Sequence, residues 1–337
     1  MPIKYVAIVA GRDAGARIDQ LIKLLSSAGI KSLVVSFSDI SNLSDVDAVI
    51  VVGADSDVLK AIHAMGSNVV SLLPISPPGY STFFASIDWE GVKESIKNLV
   101  SGRYVVHDYV RIRALVDGSE VIYALNEVAV FPARSATLVD YDLVIDGELV
   151  WRDTADGVLI ATPAGSTAYA FSAGGPIIMT TSKVLEVVPV NSVNPLRRAI
   201  VVHDNAVITI TNISSRSSVE VVADGVRRVK VNEGVKVVKA EAPARFIRFE
   251  GGLGDVIERK ARVVTEPKNL PPSAKYVLKM LRIYGQASPK ELVELTGLPE
   301  RTVRYALSVL LKKGLVKRVT DLRDSRRRIY KLSLIHI

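Results

Sequence analysis

The first hundred residues alternate short apolar runs with segments of helical spacing. Residues 5–9 form a β-branched run, and residues 16–28 carry apolar side chains three and four positions apart. Residues 33–36 and 48–52 are again strand-like. Strands that alternate with helices pair in parallel, because each connection crosses one face of the sheet. The alternation therefore predicts an α/β domain with a largely parallel sheet over residues 1–103.

From residue 104 this alternation gives way to closely spaced β-rich segments. Turn pairs such as Asp117-Gly118 and Asp146-Gly147 separate some of them, and turns of this kind join antiparallel strands. We therefore expect an all-β domain over residues 104–265. Its predicted strands lie at residues 109–116, 121–130, 138–145, 207–211, 219–223, 229–231, 235–240 and 245–249.

The last part of the chain differs from the rest in charge. Residues 270–331 contain 15 Lys or Arg and 5 Asp or Glu, which gives this segment a net charge of +10. The remaining residues contain 28 Lys or Arg and 30 Asp or Glu, so the chain's net charge of +8 comes from the tail. A basic domain on a near-neutral body is typical of contact with nucleic acid, although a merely basic solvated surface would give the same count.

The same segment has the pattern of a small α+β domain. Proline-rich residues 266–272 predict a linker, and a domain of helix, helix, turn, helix and hairpin is expected over residues 273–331. Proline is tolerated in the first turn of a helix, so two of its prolines predict helix starts. The expected elements are helices over residues 274–284, from Pro289 and from Pro299, and a hairpin of residues 316–319 and 328–331.

Composition excludes several classes of protein and site. The chain has no Cys, which excludes disulfides and Cys-ligated zinc. No apolar run reaches the roughly 18 residues of a membrane-spanning helix, and no small-residue cleavage site follows the N-terminal apolar run. We therefore expect a cytoplasmic protein without a membrane partner. The final residues 332–337 (LSLIHI) match the translation of a sequencing adapter, and we expect them not to belong to the natural chain.

Residues 53–57 (GADSD) are the first candidate for chemistry. They follow an apolar strand and precede a helix predicted over residues 58–65. A helix N-terminus offers unpaired N–H groups to a phosphate, and α/β sheets bind ligands at the carboxyl ends of their strands. Asp and Ser are also ordinary helix N-cap residues, so this segment alone does not decide between a phosphate site and a cap.

Residues 156–176 (DGVLIATPAGSTAYAFSAGGP) are the second candidate. A strand at residues 158–161 leads into a loop rich in Gly, Ser and Thr. Small side chains let a ligand approach the backbone, and hydroxyl groups donate and accept hydrogen bonds. Asp156 stands just before the strand. Composition alone would equally allow a plain polar loop.

Taken together, these segments resemble the NAD kinase family. The pieces DG, TPAGSTAY and SAGGP of residues 156–176 are similar to the family's dinucleotide-binding signature. Asn126-Glu127 resembles its Asn-Glu or Asn-Asp pair, GADSDVLKA its GGDGT motif, and Asp224-Gly225 a late Asp-Gly element. The resemblance covers residues 1–265 and implies a Rossmann-like α/β domain followed by the all-β C-terminal domain of NAD kinases.

The resemblance implies an enzyme that phosphorylates the 2′-hydroxyl of the adenosine ribose of NAD. Asp55 matches the catalytic aspartate, which accepts the hydroxyl proton. The phosphoryl donor would be ATP or polyphosphate with a divalent metal, Mg or Mn, and no metal ligand from the chain itself is implied. A homodimer or homotetramer is the expected assembly. The residues implied to bind NAD are Ser56, Asn126, Glu127, Asp156, Thr167, Ala168, Tyr169 and Ser172.

The chain departs from the family pattern around Asp55. Ala54 and Ser56 stand where the family has glycines, and Asp57 replaces a threonine, which adds a negative charge to the loop expected to face the donor phosphates. Residues 72–84 replace a glycine-rich family stretch, and Val193 a usual histidine. The alternative function is therefore a transcriptional regulator that senses NAD or NADP through a kinase fold with weakened catalysis. A kinase for diacylglycerol or sphingosine shares this fold class and is a third alternative.

The tail resembles the winged helix-turn-helix domains of many archaeal and bacterial regulators. In such domains the third helix enters the major groove and the wing contacts phosphates, so DNA is the partner expected for the tail. Some winged helices bind proteins instead. The residues expected to face bases are Arg301, Thr302, Arg304 and Tyr305, and those expected to contact phosphates are Arg323, Arg326, Arg327 and Arg328.

Overall fold

The computed structural model describes residues 2–11, 14–15, 17–43, 45–77, 82–249, 271–312, 315–320 and 328–332. These residues form two units, one within residues 2–249 and one within residues 271–332. No helix in the described part of the chain is both long and apolar enough to cross a membrane.

Strands and helices alternate over the first hundred residues, which confirms the predicted α/β class. Strand β3 is buried along its whole length because it lies inside the sheet with helices on its faces. The elements are β1 (Tyr5–Ala10), α1 (Arg17–Ser27), β2 (Lys31–Val34), a 3₁₀ helix (Phe37–Asn42), β3 (Ala48–Val52), α2 (Asp55–Met65), β4 (Ser71–Ser76), β5 (Ile87–Asp88), α3 (Val92–Ser101) and β6 (Val105–Tyr109).

Strands then dominate up to residue 248, in agreement with the predicted all-β class. Left-handed φ angles at Asp117, Gly118, Asp146 and Gly147 confirm the two predicted hairpin turns. The elements are β7 (Ile112–Val116), β8 (Glu120–Ala124), β9 (Glu127–Pro132), β10 (Val139–Ile145), β11 (Glu148–Ala155), β12 (Gly157–Ala161), a 3₁₀ turn (Gly165–Thr167), α4 (Tyr169–Ser172), β13 (Val184–Val190), β14 (Ile200–His203), β15 (Ile208–Ser215), β16 (Val219–Ala223), β17 (Arg227–Val231), β18 (Gly234–Lys239) and β19 (Ala244–Arg248).

Two six-stranded antiparallel sheets form a sandwich within the first unit. Their strand orders are β11-β10-β15-β18-β7-β8 and β14-β13-β12-β9-β16-β17. Alternate apolar side chains of both sheets meet in one buried core, as Ile112 and Ile210 of the first sheet and Val128 and Leu185 of the second illustrate. This sandwich provides the rigid frame for the glycine-rich loop after β12.

The strand at the end of the β-rich region returns to the α/β sheet. That sheet has the order β2-β1-β3-β4-β19-β6, with β5 paired to β4. Strand β19 runs parallel to β4 and antiparallel to β6. Residues 109–116 and 245–249 were both predicted to be antiparallel strands of the β-rich domain. The structure instead divides the first segment after Tyr109, because β6 and β19 pair with each other and pack Phe246 against the ring of Phe84.

Two further differences concern strand continuity. The predicted strand over residues 121–130 is two strands, β8 and β9, which belong to different sheets. The chain crosses between the sheets at Leu125 and Asn126. Neither residue is a turn-forming Gly or Pro, so the sequence gives no sign that the strand is interrupted there. Strands β11, β13 and β14 of the sandwich were not predicted. Strand β11 is an edge strand whose outward side chains are exposed and only weakly alternating.

The second unit has the predicted order of three helices and a hairpin. The predicted apolar face of the third helix, Val303, Leu307 and Leu310, is buried. The second helix begins with a capping box, because the Ser288 hydroxyl accepts the Glu291 N–H and the Glu291 carboxylate accepts the Ser288 N–H. The elements are α5 (Pro272–Tyr284), β20 (Gln286–Ala287), α6 (Pro289–Thr296), α7 (Glu300–Lys312), β21 (Val316–Thr320) and β22 (Arg328–Leu332), with the three strands in the order β20-β22-β21.

Candidate functional site

Asp55 begins helix α2 directly after strand β3, at the carboxyl end of the parallel sheet. One carboxylate oxygen accepts the Phe83 N–H and the other the Phe84 N–H, each at 2.9 Å. Burial raises the pKa of Asp55, while the two N–H groups and the positive charge of Arg248 act in the opposite direction. A carboxylate held in this way keeps one orientation, which suits a group that accepts a proton at a fixed place.

Arg248 of β19 supports the segment that holds Asp55. Its guanidinium donates to the Phe84 carbonyl oxygen at 2.9 Å and to the Ser86 hydroxyl at 2.8 Å. It also donates to the Tyr109 hydroxyl at 3.2 Å. The strand that returns from the sandwich therefore fixes the backbone whose N–H groups bind Asp55.

Asp57 turns back toward its own helix. Its carboxylate accepts the Ala54 N–H at 3.1 Å and lies 3.1 Å from Lys60 Nζ. A Cβ atom at Gly11 or Gly53 would come within 2.5 Å of Asp57 Oδ2, so both glycines are needed for the close approach. From the sequence, Asp57 was expected to add a negative charge to the loop that faces the donor phosphates. In the structure Lys60 and the helix N-terminus compensate that charge.

The backbone of the Asn126–Glu127 pair is held on two sides. The Asp224 carboxylate accepts the N–H groups of Leu125, Asn126 and Glu127 at 2.8, 2.7 and 3.1 Å. On the other side the Thr162 hydroxyl donates to the Leu125 carbonyl oxygen at 2.6 Å. The Thr162 N–H donates to the Asn126 carbonyl oxygen at 2.8 Å. This pair, at the crossing between the two sheets, is thereby held rigidly, and we refer to it as the Asn126–Glu127 platform.

The side chains of this pair carry unsatisfied polar atoms. Asn126 Oδ1 and Glu127 Oε2 are buried and have no hydrogen-bond partner among the described residues. Buried polar atoms in proteins almost always have a partner, so two orphans side by side indicate a place for a ligand. Burial, together with the charges of Asp224 and Glu186, raises the pKa of Glu127 to about 8. At neutral pH the Glu127 carboxyl group is therefore protonated and can donate a hydrogen bond.

The glycine-rich loop lies against this platform. A Cβ atom at Gly165 would stand 2.1 Å from the Asn126 carbonyl oxygen, so only glycine allows the contact. The buried Ser166 hydroxyl donates to the Pro163 carbonyl oxygen at 2.8 Å and accepts the Ile178 N–H at 3.0 Å. Thr167 is also buried. The physical reason for the small residues is thus the close packing of the loop on Asn126.

A stacked pair of aromatic rings involves Tyr169, which follows this loop in the sequence. The Tyr169 ring stacks on that of Phe131 with centroids 5.8 Å apart, and 43% of Tyr169 stays exposed. A Cβ atom at Gly157 would lie 2.5 Å from the Phe131 ring, so this glycine makes room for the stack. Ala168 is half-buried and Ser172 exposed beside it. An exposed ring face backed by a second ring is suited to stacking on a planar ligand.

Asp156 lies between β11 and β12 and is half-buried. Its carboxylate accepts a hydrogen bond from the Asn191 side-chain amide at 2.7 Å. Burial raises the pKa of Tyr169, and the charges of Asp156 and Glu127 raise it further, which places all three groups in one electrostatic neighbourhood.

Most of the predicted dinucleotide residues therefore gather around the Asn126–Glu127 platform. Asp55 belongs to a separate group with Phe83, Phe84 and Arg248, and Ser56 is exposed on the first turn of α2. A hydrogen bond of 3.0 Å between His63 Nε2 and Asp224 Oδ2 joins the two groups. His63, Arg248 and Phe131 were not predicted, because no spacing in the sequence relates them to their partners.

The described residues contain no group of three or more His, Cys, Asp or Glu that could hold a metal ion. Each carboxylate oxygen of Asp55 accepts one backbone N–H group and keeps a lone pair for a further hydrogen bond. Mg²⁺ is usually held by one or two carboxylates together with substrate phosphates and water. The site therefore fits a metal that arrives on phosphate oxygens rather than one held in a protein cage.

In the tail, the predicted base-facing residues lie on α7. Arg301, Arg304 and Tyr305 are exposed and Thr302 is half-buried. Arg304 donates to Glu300 Oε1 through Nε at 2.9 Å and Nη2 at 2.6 Å, so part of this face is neutralised within the helix. Of the residues predicted to contact phosphates, Arg323, Arg326 and Arg327 and the side chain of Arg328 lie outside the described residues.

Two family models match the chain. Residues 125–249 match the ATP-NAD kinase C-terminal domain, and residues 268–327 match the MarR family. An NAD kinase of Methanopyrus kandleri is 34% identical over 205 residues, which cover 61% of this chain and 74% of that relative. An NAD kinase of Clostridium botulinum is 34% identical over 212 residues, again 61% of this chain and 74% of the relative.

Solved structures of similar fold agree with this result. An NAD kinase of Archaeoglobus fulgidus in complex with ATP has a TM-score of 0.67 at 23% identity, covering 76% of this chain and 98% of its own. Yeast NADH kinase complexed with NADH has a TM-score of 0.68 at 19% identity, covering 81% of this chain and 90% of its own. At these identities the likeness shows the fold, and it confirms the predicted succession of an α/β and a β-rich domain.

Proposed function

The chain belongs to the NAD kinase family, and we propose from this premise that it transfers a phosphoryl group from ATP to the 2′-hydroxyl of the adenosine ribose of NAD. The observation that best supports the proposal is the Asn126–Glu127 platform. Its backbone is fully bonded to Asp224 and Thr162, while its side chains present buried polar atoms without a partner. A site of this kind is complete only with a polar ligand.

We assign the dinucleotide to this platform and to the surfaces beside it. The Asn126 amide reads the adenine edge, and the protonated Glu127 carboxyl donates to an oxygen or nitrogen of the nucleoside. Asp156 accepts from a sugar hydroxyl, and Tyr169 stacks on a planar ring. Ser56, Thr167, Ala168 and Ser172 complete the proposed set of NAD-binding residues.

Asp55 is proposed as the group that accepts the proton of the 2′-hydroxyl. The Phe83 and Phe84 N–H groups fix its orientation, and burial brings its pKa closer to that of a useful base. Phosphoryl transfer depends chiefly on alignment and on charge stabilisation, so a fixed carboxylate at the nucleophile suffices as the proton acceptor.

ATP or polyphosphate is the proposed donor, with Mg or Mn as the accompanying metal. When bound, the metal would supply positive charge to the phosphate oxygens. The proposal places its ligands mainly on the donor phosphates, since the described residues form no metal cage. The compensated charge of Asp57 supports donor binding near α2, because the pairing with Lys60 lowers its repulsion of a phosphate.

The tail is proposed to bind DNA through α7 and the wing. The supporting observations are the match of residues 268–327 to the MarR family and the exposed Arg301 and Tyr305 on α7. We further propose the domain division 1–103, 104–265 and 273–331 with a linker at 266–272, in which strands β6 and β19 of the second segment pair in the sheet of the first. The proposed assembly is a homodimer or homotetramer, and the proposed location is the cytoplasm, where NAD, ATP and DNA occur together. Equilibrium sedimentation of the full chain would test the assembly.

The catalytic proposal is tested by incubating the purified full chain with NAD, a donor and a divalent metal. ATP and polyphosphate are compared as donors, and Mg and Mn as metals, with NADP formation as the readout. NADP formed with ATP is the expected result. Tight NAD binding without NADP formation under any combination would overturn the kinase proposal in favour of the NAD-sensing regulator.

The DNA proposal is tested by comparing the full chain with a chain that ends at residue 266. Both are titrated onto labelled duplex DNA at several salt concentrations. We expect salt-dependent binding by the full chain only, with equal NADP formation by both proteins. Undetectable DNA binding by the full chain would contradict the assignment of the tail and leave the kinase proposal intact.

A further inference from the structure

A histidine on the helix of Asp55 contacts Asp224, whose carboxylate binds the backbone of the Asn126–Glu127 platform. His63 lies in the third turn of α2, and its Nε2 is 3.0 Å from Asp224 Oδ2. The side chains of His63 and Asp224 are only 10% and 0% exposed. A hydrogen bond so well shielded from water has little competition from solvent and a well-defined geometry.

Asp224 is a hub with fixed geometry. Its Oδ1 accepts the N–H groups of Asn126 and Glu127, and its Oδ2 accepts that of Leu125 as well as facing His63. The Asp224 N–H donates to the Glu127 carbonyl oxygen at 3.0 Å, and its φ of 51° holds the turn in the left-handed region. Whatever moves this carboxylate therefore moves the platform.

The apolar contacts between α2 and this region lack direction. Val58 and Ile62 of α2 share an apolar cluster with Leu125 and Ala164 of the platform and its loop. Apolar packing fixes the separation of two surfaces better than it fixes their register, because dispersion forces have no preferred angle. The His63–Asp224 hydrogen bond adds a fixed length and direction to this interface.

We propose that His63 is a positioning residue for phosphoryl transfer, and the proposal rests on the function proposed above. Through Asp224 it holds the helix that begins at Asp55 in register with the Asn126–Glu127 pair. The ribose hydroxyl bound at the platform then lies at a fixed place relative to the Asp55 carboxylate. His63 contacts neither substrate nor donor in this assignment, and it acts on the alignment of the two groups that do.

Two substitutions separate the hydrogen bond from the volume of the side chain. In His63→Gln the side-chain amide can still donate to Asp224, whereas His63→Leu fills the space without a donor. We expect His63→Leu to lower kcat about 10- to 100-fold, because displacements of about 1 Å in a reacting pair have effects of this size. The dissociation constant for NAD should change by less than about threefold, since Asp224 still binds the platform N–H groups. His63→Gln should recover most of kcat.

His203→Leu is the matched control. This exposed histidine also faces an aspartate, with Nδ1 3.3 Å from Asp204 Oδ1, but it ends β14, an edge strand that carries none of the proposed site residues. We expect wild-type kcat and NAD affinity for it. Thermal melts of all variants identify any that fail to fold.

The proposal is overturned by wild-type kcat in His63→Leu, by a loss of NAD affinity as large as the loss of kcat, or by a Gln variant no better than Leu. Failure of the Leu variant alone to fold would show that the hydrogen bond serves stability, and would equally overturn it. A wild-type chain that binds NAD without forming NADP would remove the proposed function and this inference together. An active wild type with an unaffected Leu variant removes the inference alone.

Discussion

The Asn126–Glu127 platform and the exposed face of α7 are built in opposite ways. The platform joins residues far apart in the chain, such as Leu125 and Asp224 at a separation of 99 positions, through buried hydrogen bonds. The face of α7 takes Arg301, Arg304 and Tyr305 from adjacent turns of one helix and leaves them in solvent. A change at the platform should therefore propagate through shared partners, whereas changes on α7 should act locally and add.

The largest expected effect tests the buried side of this comparison. Asp55→Asn should lower kcat about 100- to 10,000-fold, because an amide does not accept the hydroxyl proton. NAD affinity should stay within about threefold, since the platform is separate from Asp55. Steady-state NADP formation and calorimetric NAD titration provide the two values. Asp39→Asn, which changes an exposed carboxylate in the first turn of the 3₁₀ helix, is the control, and full turnover in Asp55→Asn would contradict the assignment.

The next prediction concerns the protonated Glu127. Its pKa is near 4.5 in the unfolded chain and about 8 in the folded one, so the unfolded state ionises first as the pH rises. The free energy of unfolding of the wild type should therefore fall between about pH 4.5 and pH 8 and level off above. Glu127→Gln removes this decline, so the variant should gain about 5 kcal/mol relative to the wild type across that interval.

Urea unfolding at a series of pH values measures this difference. Glu148→Gln, an exposed position on the edge strand β11, is the control and should follow the wild-type curve. If the free energy of unfolding changed with pH in the same way for Glu127→Gln and the wild type, folding would not raise the pKa of Glu127, and the prediction would be wrong.

A third prediction tests the exposed side. Arg301→Ala should reduce discrimination between DNA sequences by about 1 to 3 kcal/mol at the base that Arg301 reads. Replacing Arg326, Arg327 and Arg328 with Ala should instead weaken binding to all sequences and flatten the plot of log affinity against log salt by about one unit for each lost contact. Titrations of a preferred and a scrambled duplex distinguish the two outcomes, and identical behaviour of both variants would contradict the assigned roles.

The smallest expected effect concerns Glu300. Its ion pair with Arg304 is exposed, so removing it in Glu300→Gln should cost the tail only about 0.3 to 0.5 kcal/mol of stability. DNA affinity should rise by about twofold to fivefold, because the variant frees Arg304 and removes a charge that repels phosphate. Fluorescence titration measures the change, and a loss of affinity would show that Glu300 itself contacts DNA.

The same contrast explains what could be predicted from the sequence. The helices and the buried face of α7 follow from local spacing, capping and proline positions, which the chain carries within a few residues. Asp55 and the loop around Gly165 were found because their motifs are contiguous. The hub at Asp224 was visible only as an Asp-Gly pair, and its link to His63 was not visible at all. Long-range partners depend on how two sheets meet, and no periodicity along the chain encodes that.

The return of β19 to the first sheet has a consequence for how the protein folds. Tyr109 pairs with Ala244, 135 positions later, and the whole sandwich lies between these two residues. Bringing such distant strands together has a large entropic cost unless the intervening chain is already ordered. We therefore expect the sandwich to fold first and β19 to dock late. Because β19 carries Arg248, which fixes the backbone around Asp55, a nascent or partly folded chain would lack an oriented proton acceptor until β19 is in place.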